Sequence, residues 1–142
     1  MPTVDPLRLL AQDADDLEVL SAALQDAVAK IGDIRYEPAA RRLTIAFNRY
    51  RWEATGRSRE RVRAGLQFGC VLGVQARNLR RDADKAVVEL LAMAFEPGEA
   101  PGGFVQLTFA GGGDLRLEVE CIDAALADLS AAWPARSTPE HG

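Results

Sequence analysis

The segment Leu115-Arg116-Leu117-Glu118-Val119-Glu120-Cys121 carries an apolar residue at every second position. A side-chain period of two belongs to a strand with one face in a core and the other in water. The same period returns where Leu43, Ile45 and Phe47 alternate with Arg42, Thr44 and Ala46. It returns again where Val62, Ala64, Leu66 and Phe68 alternate with Arg61, Arg63, Gly65 and Gln67. Three half-solvated segments commit the middle and end of the chain to an antiparallel sheet, since all-parallel sheets are buried on both faces.

The breakers divide the rest. Glu37-Pro38-Ala39-Ala40 reads as a turn, because proline presets φ for it. Gly69 splits a long run into strands over residues 60–68 and 70–78. Residues 80–84 form a turn, residues 87–95 are apolar nearly throughout as in a central strand, and residues 97–103 are a loop rich in breakers. A strand over residues 104–109 is joined to the next by Gly111-Gly112-Gly113-Asp114. That connection lies between two strands and opens no helix, so it is a hairpin and not a phosphate loop. Gly65, Gly69 and Gly73 mark bends or bulges.

Two segments change to the helical period. Asp13 is placed as an N-cap, with Asp15, Asp16 and Glu18 beside the positive end of the dipole, and Leu17, Leu20, Leu24 and Val28 form one stripe. This predicts a helix near residues 14–28, although the run 28–36 fits a first strand equally well. The aspartates are explained by capping, without a cation. Asp123 likewise caps an expected helix over residues 123–133, with Ala125, Leu126, Leu129 and Trp133 in its stripe and Pro134 as its stop. The expected architecture is α+β: a mainly antiparallel sheet or barrel of about seven strands with an N-terminal helix and a C-terminal capping helix. The expected domain spans residues 7–133, with flexible tails at 1–6 and 134–142.

Composition restricts the chemistry. The chain has 142 residues, two cysteines and one histidine, His141, which falls in the expected tail. Histidine-based metal sites and Ser-His-Asp or Cys-His catalytic sets therefore lack their central residue, and no catalytic residue, metal ligand or cofactor is assigned. Cys70 and Cys121 are not a CxxC pair, and Cys121 is expected as a buried thiol on the apolar strand face. Glu118 and Glu120 share the opposite face and are read as solvated. No apolar run nears the roughly 20 residues of a membrane helix. The opening MPTVDPLRLL lacks the basic and apolar regions of a secretory signal, so the expectation is a cytoplasmic protein with reduced cysteines and no membrane contact.

Charge is distributed unevenly. Residues 35–81 hold twelve arginines, no lysine and three acids, a net +9, whereas the whole chain is −4. Either these arginines pair with acids elsewhere in the fold, or they form a basic face. After Phe47 the apolar parity breaks: Arg49 and Arg51 occupy the inward register and Tyr50 and Trp52 the outward one. A bulge near Asn48 would turn the arginines outward. On that reading Arg49, Arg51, Trp52, Arg61 and Arg63 make a binding strip, since guanidinium grips carboxylate or phosphate in bidentate fashion and stacks on aromatic rings.

Three segments carry a resemblance: Leu24-Gln25-Asp26-Ala27-Val28, Asn48-Arg49-Tyr50-Arg51-Trp52-Glu53 and Leu115-Arg116-Leu117-Glu118-Val119-Glu120-Cys121-Ile122. They resemble the alphaproteobacterial domain-of-unknown-function family 2948, and the likeness extends over residues 7–133. It implies a small bacterial protein and transfers no catalytic residue. Separately, seven strands followed by one helix resemble the pleckstrin-homology-like barrel. That likeness implies two sheets packed nearly orthogonally, with the helix plugging an open end. The functional expectation is a non-catalytic binding or scaffold domain for a protein partner. The alternatives are a nucleic-acid or phosphometabolite binder using the same arginines, and an enzyme of unassigned type.

Overall fold

Capping builds the first helix as its sequence suggests. In a computed structural model, which describes residues 7–50, 60–80, 82–129 and 133–134, strand β1 (Arg8–Ala11) leads into helix α1 (Ala14–Ala23). The Asp13 carboxylate accepts the Asp16 amide at 2.8 Å, satisfying one of the orphan donors of the first turn. Leu17, Leu20 and Leu24 are buried. The helix stops short of residue 28 because the chain is taken up by a neighbour. Asp26 turns with φ +65°, its amide donates to the Leu90 carbonyl, and the Leu90 amide donates to the Ala27 carbonyl.

Strands follow in series: β2 (Val28–Lys30), β3 (Ile34–Glu37), β4 (Arg42–Tyr50), β5 (Glu60–Phe68), β6 (Val71–Arg77), β7 (Val87–Pro97), β8 (Gly103–Phe109), β9 (Asp114–Val119), β10 (Ala124–Asp128) and β11 (Trp133–Pro134). All strand pairings are antiparallel, and they run in the order β1-β10-β5-β4-β2-β7-β8-β9-β6. β11 adds to β5, and β3 adds to β4. In the hairpin between β8 and β9, Gly111 and Gly112 take φ +90° and +98°, the mirror-image region that a side chain strains to enter.

The sheet turns a corner with two strand pairs side by side. β5 pairs with β10 and β6 with β9, and the ladder continues across the corner. The Gly69 amide donates to the Asp123 carbonyl at 2.8 Å, and the Glu120 amide donates to the Cys70 carbonyl at 2.9 Å. The inward faces enclose one core that includes Phe47, Leu66, Phe68, Leu107, Phe109, Leu117 and Leu126.

Three expectations are corrected here. The sheet is not a closed barrel. β1 and β6 end the strand path, and beside β6 lies a cleft of about 240 Å³ lined by residues including Ile34, Ala76, Leu79, Asp84 and Leu115. The described residues contain eleven strands and one α-helix, so the two-helix, pleckstrin-homology-like arrangement does not hold. Residues 124–128, expected in the C-terminal helix, form β10. Alanine and leucine favour a helix locally, but this segment is hydrogen-bonded on one edge to β1 and on the other to β5. Pairing and burial override intrinsic propensity there. Ala124 and Leu126 are buried, while Leu129 is 62% exposed, which no single helical stripe could arrange. β7 is an interior strand, paired with β2 and β8, but it is buried only at Leu90 and Met93, with Val87 and Leu91 exposed. The expected tail residues 1–6 and 135–142 lie outside the described residues.

Candidate functional site

Strand parity decides where each arginine goes. The β4–β5 register runs without a break from Leu43↔Phe68 to Tyr50↔Arg61, so the bulge expected near Asn48 does not form. Arg49 therefore points inward with Leu43, Ile45 and Phe47, and it is 0% exposed. What makes this tolerable is Asp128, on the inward face of β10. Arg49 Nε donates to Asp128 Oδ1 and Nη2 to Oδ2, both at 2.9 Å. Nη1 donates to the Tyr50 carbonyl, also at 2.9 Å. β5 separates β4 from β10, a gap of two strand spacings or about 9.6 Å. The small Ala64 stands opposite both Phe47 and Asp128, leaving room for the long side chain to cross. Asp128 also accepts the Leu7 amide at 2.8 Å, tying β1 to the same pair. The guanidinium is thus committed to the interior, not offered to the surface.

Other arginines also find acids of the same chain. Arg41 meets Glu120, Arg42 meets Glu37, Arg63 meets Asp33 and Arg77 meets Asp114, at 2.7–3.2 Å. Much of the charge asymmetry in the sequence is therefore internal pairing. The hydrogen bond from Arg77 holds the Asp114 carboxyl below its usual range against the opposing effect of burial.

Arg61 and Arg63 do share an outward face of β5, as their spacing requires. Their guanidiniums take different partners. Arg61 lies over the Tyr50 ring at 4.4 Å from its centroid and donates to the Tyr50 hydroxyl at 2.9 Å. Arg63, 43% exposed along its side chain, reaches Asp33 Oδ2 at 3.2 Å. Arg51 and Trp52 lie outside the described residues.

Extending outward rows across the strands reveals a face that the sequence did not display. Ala46, Gly65 and Ala127 stand opposite one another on β4, β5 and β10, next to Arg8 on β1. Thr44, Gln67, Ala125 and Leu10 form the next row. The result is a shallow floor of methyl groups and backbone. Leu10, 73% exposed, stands at one side and Leu129 lies over Gly65. Around it are Arg8, Arg35, Arg61 and Arg63; of the acids at its border, Asp33 and Glu37 are ion-paired, and Asp123 stands at one end beside Gly69. Asp128 and the β10 contribution are hidden in the sequence because residues 123–133 carry a helical period. The alternation Ala124, Leu126, Asp128 was the available signal.

The family model described as Protein of unknown function (DUF2948) matches residues 7–141. The chain belongs to DUF2948. No curated protein matches it. Among the described residues of this DUF2948 chain, no cluster of three metal-ligating side chains occurs, and no helix is long and apolar enough to cross a membrane.

Proposed function

We propose that this protein is a cytoplasmic, non-catalytic binding domain, and that the outer face of β1, β10, β5 and β4 receives an acidic surface of another protein. The observation that carries the reading is the arrangement of that face: a flat centre lined by Ala46, Gly65, Ala125 and Ala127 inside a border of arginines. Protein interfaces have this anatomy, with a desolvated small or apolar centre, enriched arginine and a polar rim. A second copy of the chain is disfavoured, because a two-fold contact would set arginine rim against arginine rim. Nucleic acid fits less well. Base binding to a sheet relies on exposed aromatic rings, and the Tyr50 ring is already covered by Arg61.

Position-specific photo-crosslinking in the native cells tests this. A photoreactive residue at Gln67, on the face, should give a discrete protein adduct whose linked peptide is acidic. The same residue at Leu91, on β7 beside helix α1, should give none. Arg35→Glu, at an exposed position on β3, should abolish the adduct without changing the melting temperature. A nuclease-sensitive adduct would establish the nucleic-acid alternative, and equal adducts at both positions or none at Gln67 would overturn the proposal.

A further inference from the structure

The corner of the sheet brings together the two cysteines that the sequence separates. Cys70 follows β5 and Cys121 follows β9, and backbone bonds from Gly69 to Asp123 and from Glu120 to Cys70 fasten the two crossings to each other. Cys121 has left the strand alternation by this point, so it is half-buried and not sealed in the core, as is Cys70. The Cys70 carbonyl is bonded to the residue that immediately precedes Cys121. Cys70 adopts φ +57°, the left-handed backbone that turns β5 into β6. The two residues are therefore neighbours across the corner, both half-buried free thiols, on segments whose separation is held by the ladder on either side.

We propose that Cys70 and Cys121 form a redox-active dithiol that closes to an intramolecular disulfide by exchange with a low-molecular-weight disulfide such as oxidised glutathione. One of the two sulfurs loses its proton to solvent and attacks one sulfur of the reagent, giving a mixed disulfide and one released thiolate, which takes up a proton. The other cysteine then loses its proton and attacks the protein sulfur of the mixed disulfide, expelling the second thiolate, which is protonated in turn. Two protein thiols are oxidised, and one small disulfide is reduced to two thiols. Cys121 beside it, then burial and the neighbouring Asp123 and Glu120 carboxylates push the Cys70 thiol above its usual range, and in each step the thiolate is the attacking species.

The full-length protein equilibrated in glutathione redox buffers, then acid-quenched and analysed by intact mass and peptide mapping, tests the site. The expected product has lost two hydrogens, contains a linked Cys70–Cys121 peptide and returns to the dithiol with excess reduced glutathione. Cys70→Ser should stop at one glutathione on Cys121. Cys121→Ser should likewise stop at one glutathione, on Cys70. Stable glutathione adducts on the wild-type chain, or disulfide-linked dimers without the internal linkage, would overturn the proposal.

Discussion

Replacing Asp128 by alanine should be among the most damaging single changes available outside the apolar core. The variant leaves Arg49 at a position with no solvent exposure, removes two 2.9 Å hydrogen bonds to its guanidinium, and strips the Leu7 amide of its acceptor. Breaking a buried pair from one side costs about 3–5 kcal/mol, because the remaining charge stays desolvated. For a chain of this length that corresponds to a fall in Tm of about 10–15 °C. The informative comparison is a double-mutant cycle in urea, with Asp128→Ala, Arg49→Met and the two combined. The combined variant should be clearly more stable than the sum of the singles predicts, with a coupling of about 2 kcal/mol or more, since an uncharged replacement removes the stranded ion. Hydrogen exchange should also accelerate at β1, which loses its anchor at Leu7. A cycle that closes additively, or an Asp128→Ala variant as stable as wild type, would refute the assignment of this pair as a buried brace. The exposed Arg41–Glu120 pair, with both side chains at least half exposed, provides the contrast: its loss should shift stability by about 0–1 kcal/mol.

Two further outcomes separate the strand from the helix reading of the C-terminal segment and locate an acid-sensitive contact. Leu126→Ala should cost about 2–5 kcal/mol by denaturant titration, as expected for a leucine buried between β1 and β5, whereas Leu129→Ala should cost little because its side chain is largely in water. Asp114 has its folded-state pKa lowered chiefly by the hydrogen bond from Arg77. The resulting stability is complete above the unfolded aspartate value of about 3.9 and is lost as pH falls from there through the lowered folded value. Asp114→Asn should therefore lose more stability at pH 6 than at pH 2, and an equal loss at both values would show that the carboxylate charge is not involved.

Local sequence determined the elements whose signals are carried by near neighbours. Asp13 caps a helix because its carboxylate need reach only three residues ahead, and the periods at Leu43–Phe47, Val62–Phe68 and Leu115–Val119 specify strands because side-chain alternation is a property of the extended backbone itself. The parity of Arg49 was also legible, and it did state the truth: the residue points inward. What the sequence could not supply was the reason that position tolerates a charge, because Asp128 lies on a strand two places away and far along the chain. For the same reason residues 124–128 looked helical. Their alanines and leucine express a local preference, whereas their strand conformation is imposed by hydrogen-bonding partners on both edges. The arginine-bordered face and the Cys70–Cys121 pair belong to this second class. Each is assembled by strand register across distant segments, and register is decided by which buried surfaces fit together, a property of the packed tertiary structure.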